Sequence, residues 1–520
     1  MLQKSESNLY IIGAGFAGQM IAQDIQRKKV FGNVAAYLDD DKKLIGTEID
    51  GIPVLGPISG VAPVIRCGPL DEAIIAIPSA PTEKIREIYE NLKKGGFAHI
   101  RILPSVSQIV NGKAHFVQTR EIDPLDILGR TPIIIPLHES LQYLRGKRVM
   151  ITGAGGSIGS ELARQLLSGG AERLYLFGHG ENSIVQIYRE LIDLQNEGVG
   201  EKATVVPIIG DMKDREYMRY IIERTHVDVI FHCAAYKHVP MMEENPVAVI
   251  ENNVFGTKFI LDAALEFGVS RFVLISTDKA VSPVSIYGVS KMLCEKLVLQ
   301  YAKKAKQNQN FMFVRFGNVL GSRGSILPLF MNQIKNGGPV TVTTKEMERF
   351  FMTIPEACSL VLETGGVGKN GKSYLLDMGE PIKIIDMAEQ IIKFSGLQPG
   401  KDIEIKIIGA REGERDYEPL WLDEENPQKT EYEKLLILKN LEMDESELES
   451  LLNKLEPICF PRFNCDSKEL DLSQKNHFRN KEELIEILRK AVPSLDNFYN
   501  ITKDKSQAKR ISTSAEKITL

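Results

Sequence analysis

The apolar run RFVLIS ends at Ser276, and three reactive residues follow at once: Thr277, Asp278 and Lys279. Tyr287 stands nine positions after Asp278, and Lys291 four positions further on. On a helix, residues four apart share one face, so Tyr287 and Lys291 are expected side by side. An ammonium beside a phenol favours the phenolate, which can take the proton of a sugar hydroxyl while hydride leaves the carbon. The adjacent acid and amine suit a second task. Lys279 can act as a base on one carbon while Asp278 protonates a hydroxyl leaving from the next. For that the amine must be uncharged, and burial is expected to favour the neutral form. The simpler readings are a solvated loop for the Asp-Lys pair and surface chemistry for the Tyr-Lys pair.

Elements must place these groups. Ligands of open α/β sheets collect at the carboxyl ends of the strands, which is where Thr277, Asp278 and Lys279 fall. Two segments carry the turn that binds a pyrophosphate. LYIIGAGFAG holds Gly13, Gly15 and Gly18, and RVMITGAGGSIG holds Gly153, Gly156 and Gly159. Each turn follows an apolar strand and enters a helix, whose free N–H groups suit an anion. The alternative is a tight strand-helix turn without a ligand. In such folds an acid about 20 residues downstream holds a ribose hydroxyl. Asp39, closing NVAAYLDDD, fits that place in the first segment. The matching strand of the second, RLYLFGHGEN, ends in Gly178 and His179. No acid repels a 2′-phosphate there, which tilts the reading toward NADP over NAD. Asp211, in IIGDMKD, ends the next strand, where an adenine contact is expected, with Met212 beside it.

Other strands read as near-continuous apolar runs, among them EAIIAIP, VDVIFHCAA and FMFVRFGN, with helical patterns between them. Strands buried on both faces and alternating with helices mean parallel sheets. The fold class is therefore α/β, with two Rossmann-like doubly wound parallel-sheet domains. The first spans 1–115. A Pro-rich connection covers 116–146. The second spans 147–420, its last part a small substrate-binding region. A polar tail, 421–520, carries two helices expected to face water or another subunit, and its last stretch, KDKSQAKRISTSAEKITL, is expected to be disordered.

Composition limits the partners. Of 520 residues 26% are charged, and 64 basic against 69 acidic side chains leave a net charge of −5, spread along the chain. That argues against nucleic acid or an anionic membrane as main partner. The six cysteines form no CxxC pair, so neither a disulfide framework nor a zinc site is expected, and no metal is assigned. No apolar run approaches the roughly 18–20 residues that span a bilayer. The N-terminus lacks the apolar stretch of a signal peptide, so a cytoplasmic place is expected.

Taken together, TGAGGSIGSELARQ, HCAAYKHVPMMEENP, STDKAVSPVSIYGVSK and RFGNVLGSRGSILPLF resemble the extended short-chain dehydrogenase/reductase superfamily. More narrowly they resemble the UDP-N-acetylglucosamine 4,6-dehydratases of the CapD-like polysaccharide-biosynthesis group, over roughly 125–420. The first domain resembles the accessory nucleotide-binding domain of the larger members. The transmembrane helices that usually precede it there have no counterpart in this sequence.

The resemblance implies catalytic roles for Thr277, Asp278, Lys279 and Tyr287, with Lys291 on the cofactor ribose. It implies that Gly153, Gly156, Ser157, Ile158 and Gly159 hold the pyrophosphate of NAD or NADP, bound tightly and regenerated each turnover. Ala234, Ala235 and Tyr236 would line the nicotinamide side. Asn318, Arg323 and Arg349 would hold the UDP part of the substrate, and a homo-oligomer is expected. GAREGERDYEPLW departs from the group's Pro-Gly-Glu-Lys-Leu pattern, so Glu412 and Glu414 receive no role. The rival on this scaffold is a UDP-hexosamine 4-epimerase, which needs Tyr287 and Lys291 but no acid-amine pair. A protein that senses nucleotide sugars is a third reading. His232, Cys233, Phe350 and Phe351 read as core. His238 reads equally as a substrate contact or a structural hydrogen bond.

Overall fold

The computed structural model describes residues 8–28, 33–61, 65, 71–103, 119–121, 141–167, 169–199, 203–411, 413–432, 434–461 and 477–495. Most of the 116–146 connection, Glu412 and the stretch expected to be disordered lie outside these residues.

The first sheet holds β1 (Asn8–Ile12), β2 (Asn33–Leu38), β3 (Glu48–Ile49), β4 (Ile52–Leu55), β5 (Glu72–Ile75), β6 (His99–Ile102) and β7 (Arg120–Glu121) in the order β3-β4-β2-β1-β5-β6-β7. Its inner five strands are parallel, and short antiparallel strands close both edges. Helix α1 (Phe16–Lys28) follows the first glycine turn, and α2 (Thr82–Lys94) follows β5.

The second sheet is built on β8 (Arg148–Thr152), β9 (Arg173–Gly178), β10 (Thr204–Ile209), β11 (Val229–His232), β12 (Arg271–Ile275) and β13 (Asn310–Arg315). Short pairs branch from its end: β14 (Asn318–Leu320) with β17 (Phe351–Thr353), β15 (Val340–Val342) with β20 (Ile405–Ile407), and β16 (Glu348–Arg349) with β19 (Ile382–Lys383). Then β18 (Ser373–Leu376), β21 (Gln428–Lys429) and β22 (Leu435–Leu438) complete the order β10-β9-β8-β11-β12-β13-β18-β22-β21. It is parallel from β10 to β18. Between β8 and β11 the winding reverses, which opens a crevice at the strand ends. The strands can sit in the middle because β11 is buried on both faces along its whole length.

Helix α3 (Ser157–Leu166) leaves the second glycine turn, and α4 (Ile286–Lys304) follows β12. Ile286, Val289, Leu293, Leu297 and Val298 of α4 are all buried. The same core takes in Leu448, Leu451, Leu452 and Leu455 of α5 (Glu445–Cys459) and Leu484 and Leu488 of α6 (Lys481–Ala491). This corrects the expectation of helices facing water or another subunit. The leucines of ESELESLLNKL recur at helical spacing, a stripe masked by its many charges. Beyond Trp421, β21 and β22 also extend the main sheet.

Candidate active site

The site begins where β12 stops. Asp278 donates its backbone N–H to Phe316 O at 3.1 Å, continuing the sheet past its last formal strand residue. A 3-10 turn, Asp278–Ala280, then reverses the chain, with Thr277 as its N-cap. Asp278 is 0% exposed. Its Oδ1 accepts from Thr277 Oγ1 at 2.8 Å and from Lys279 Nζ at 3.1 Å. Its Oδ2 is buried without a hydrogen-bond partner and faces Gly317, where a Cβ would lie 3.3 Å from it. Buried polar atoms are rarely left so, and this one can accept from a group that a ligand brings. Lys279 Nζ also donates to Asn318 Oδ1 at 3.2 Å, which brings Asn318 to the reactive pair. The lysine expected to be neutral through burial is thus found in an ion pair.

Ser285 caps α4 by accepting from Gly288 N, which sets Tyr287 in the first turn, over the end of β12. Tyr287 is buried and hydrogen-bonded to the Thr277 side chain. Burial pushes its phenol up and Asp278 adds to this, with the Thr277 bond opposing. Lys291 lies one turn on and donates from Nζ to Ile275 O at 2.6 Å. Burial pushes its amine down, against the pull of Cys294, Glu295 and Cys233.

The second glycine turn fits a dinucleotide. Gly153 has φ +67°, and a Cβ there would lie 2.8 Å from the Ala234 backbone. A Cβ on Gly159 would meet Gly153 O at 2.3 Å. Only glycine lets strand, turn and helix approach this closely. Gly156 is the N-cap of α3 and provides no side-chain cap, so Ser157, Ile158 and their neighbours present free N–H groups. Across the crevice, Ala234 N donates to Thr152 Oγ1 at 3.3 Å, and Asn253 clasps both the N–H and the carbonyl of Tyr236. Asp211 pairs with Lys213 at 3.3 Å, and Met212 is buried against Gly256.

Arg349 is buried. It donates to the Glu348, Arg415 and Asp416 carbonyls and lies 3.9 Å from Glu418. Arg323 is elsewhere: Nη1 donates to Gly155 O at 3.0 Å, and its N–H to Ser157 Oγ at 3.0 Å. It rests on the glycine turn, apart from the Asn318–Lys279 contact. Several residues went unassigned from sequence. Glu418 is buried, and burial pushes its carboxyl up, Lys279 lowering it and Asp278 raising it. Arg415 donates to Ser282 O, closing the segment over the site. Glu295 ties Ser276 to Arg315. His232, Cys233, Phe350 and Phe351 pack as core or beside it. His238 packs against Gly324, and burial pushes its imidazole down.

In the first sheet Gly13 has φ +102°, and a Cβ on Gly18 would lie 1.9 Å from Gly13 O. Gly15 faces open space. Asp39 Oδ2 accepts from Ala14 N at 2.6 Å, tying the acid to the turn itself. Among the described residues there is no cluster fit for a metal ion and no helix long and apolar enough to cross a membrane.

Known proteins share this architecture. The family described as "Polysaccharide biosynthesis protein" matches residues 149–440. Capsular polysaccharide biosynthesis protein CapD of Staphylococcus aureus is 38% identical over 427 residues, 82% of this chain and 70% of that protein. A UDP-glucose 4-epimerase of Rickettsia rickettsii is 34% identical over 285 residues, 54% of this chain and 79% of its own. The solved structure of Pen from Bacillus thuringiensis is 32% identical, covers 58% of this chain and 90% of its own, and superposes with a TM-score of 0.52.

Proposed function

The chain belongs to the polysaccharide biosynthesis protein family, and from that premise we propose that it is a nucleotide-sugar 4,6-dehydratase. Its substrate in this reading is UDP-N-acetylglucosamine, and its product a UDP-4-keto-6-deoxy-hexosamine for surface polysaccharide. A bound nicotinamide dinucleotide, NAD or NADP, supplies the hydride acceptor at carbon 4 and the hydride donor at carbon 6. Gly153, Gly156, Ser157, Ile158 and Gly159 would hold its pyrophosphate, Lys291 its ribose, and Asp211 with Met212 its adenine. Ala234, Ala235 and Tyr236 would flank its nicotinamide.

Tyr287, once ionised, receives the proton of the carbon-4 hydroxyl. The ketone then acidifies carbon 5. The Lys279 ammonium passes one proton to the Asp278 carboxylate across their 3.1 Å hydrogen bond, so that the neutral amine takes the carbon-5 proton and the new carboxylic acid protonates the carbon-6 hydroxyl, which leaves as water. Asn318 and Arg349 hold the substrate, and Arg323 acts beside the cofactor turn. The observation that carries the reading is the Asp278–Lys279 pair, whose buried carboxyl keeps one oxygen free. Interconverting a hydroxyl at carbon 4 has no use for it. The second reading, a 4-epimerase, is favoured by the Rickettsia relative's name and by the Tyr287–Lys291 pair. We also assign the first-sheet turn, Gly13, Gly15, Gly18 and Asp39, as an accessory nucleotide site.

Incubation with UDP-N-acetylglucosamine in deuterated water, followed by NMR and mass spectrometry, separates the two. Dehydration gives a product one water lighter with deuterium at carbon 5. Unchanged mass with inverted carbon 4 would leave the epimerase standing.

A further inference from the structure

Strand β14 starts at Asn318, and a short loop, 321–325, leads from its end to the ten-residue helix Ile326–Lys335. In that loop Arg323 reaches the second glycine turn, 166 positions back in the chain from Ser157. Its backbone N–H donates to Ser157 Oγ at 3.0 Å, its Nη1 to Gly155 O at 3.0 Å and its Nη2 to Gln186 Oε1 at 3.3 Å. The next residue, Gly324, meets the opposite wall. It has φ +70°, and a Cβ there would lie 2.5 Å from the His238 ring. The loop thus touches both sides of the crevice into which the turn presents its free N–H groups. Arg323 is exposed, so no core needs it. The acceptors of its guanidinium, a carbonyl and a carboxamide, are neutral, and among the described residues no carboxylate pairs with it. A guanidinium anchored by neutral groups keeps its charge for an anion beside it, and its fork has donors to spare.

We propose that Arg323 is a clasp that keeps the dinucleotide in place through both hydride transfers, by holding its loop across the pyrophosphate turn, and that it is no contact for the UDP part of the substrate. This rests on the reading above, in which the second glycine turn holds NAD or NADP. That reading makes retention a requirement. Hydride taken from carbon 4 must return to carbon 6 of the same sugar, and a reduced cofactor that left in between would strand a ketone. A bare turn binds the pyrophosphate through backbone N–H groups alone. The loop adds a part that must move before the pyrophosphate can leave, and a positive charge that opposes its leaving. The motif pointed Arg323 at the substrate because the loop also begins near it: Lys279 Nζ donates to Asn318 Oδ1 at 3.2 Å. Five residues later the chain has crossed to the cofactor wall. Arg323 is in this sense a positioning residue, and its effect belongs to the cofactor and not to the sugar.

Holoenzyme loaded with NADH or NADPH and diluted into excess oxidised dinucleotide releases its fluorescent cofactor at a rate that tests this. Arg323→Ala should release it about 10- to 100-fold faster than wild type, the scale of one or two hydrogen bonds to a charged group. It should also leave gel filtration with less dinucleotide bound. Arg323→Lys keeps the charge but loses the fork, and its release rate should fall between the two. During turnover at high dilution, Arg323→Ala should lose activity progressively and regain it when oxidised dinucleotide is added. Release from Arg323→Ala as slow as from wild type overturns the clasp and leaves the dehydratase reading intact. So does a raised KM for UDP-N-acetylglucosamine with the dinucleotide held as before, the result expected of a UDP contact. Wild-type protein that binds neither NADH nor NADPH overturns the reading itself.

Discussion

Glu418 shares its buried surroundings with Asp278, Lys279, Arg349 and Arg415. Replacing it with Gln keeps its shape and removes a negative charge, leaving the two arginines to act on the reactive pair. Burial raises the Glu418 carboxyl, so it ionises at higher pH than an ordinary carboxylate. Ionised Glu418 balances the two arginines beside the reactive pair, so the acid limb of the kcat profile should carry its titration and lose it in Glu418→Gln, with kcat lowered and KM less affected. An unchanged profile would make Glu418 a packing residue. Sequence could not find it, since its partners come from distant strands and its own segment departs from the group's pattern. Thr277, Asp278, Lys279, Tyr287 and Lys291 were legible for the opposite reason: they occupy one short string after an apolar strand. Arg323 shows the limit of a motif, which places a residue in a loop without saying which wall that loop will meet.

Elements hold these groups through a few buried polar joints. His232, at the end of β11, bonds Thr152 Oγ1 at 2.7 Å and Thr257 Oγ1 at 2.9 Å. Burial, aided by Lys291, pushes its imidazole from the ordinary 6.5 down to about 3. The unfolded chain therefore binds a proton below pH 6.5 that the folded one refuses. This contribution is complete above that pH and lost as pH falls toward 3, at about 1.4 kcal/mol per unit. Urea midpoints of wild type and His232→Gln, compared between pH 7 and 4.5, should converge as the solution is acidified; a constant gap refutes the argument. Arg315, at the end of β13, binds Glu295 of α4 and Glu425 through both its terminal nitrogens, all three being buried. Arg315→Met leaves two buried carboxylates without their counter-charge and should cost about 3–5 kcal/mol. Hydrogen exchange should then rise first around Leu420, whose carbonyl Arg315 also holds. Such joints couple positions far apart in the chain, which hides them in sequence, whereas the glycine turns and the apolar strands of both sheets could be read directly.

For the molecule as a whole, the two sheets share no strand, and each has its own core. Leu141 and Leu144 already belong to the second core, so a chain of residues 141–520 has what it needs to fold. It should keep dehydration in the product assay; loss of turnover with intact folding would show that the first sheet acts on the site. The opposite cut should behave differently. Ending the chain after Leu441 removes α5 and α6, and with them Leu448, Leu451, Leu452, Leu455, Leu484 and Leu488 from the core that α4 shares. At about 2 kcal/mol for each buried leucine, the loss is on the order of 10 kcal/mol, as large as the net stability of a domain. The core so depleted also packs α4, which carries Tyr287 and Lys291 at its start and Glu295 behind them. The shortened protein should therefore be insoluble, or soluble with no cooperative melt by circular dichroism and no turnover. A soluble, cooperatively melting, active product of that cut would mean that α4 holds its catalytic face without the terminal helices.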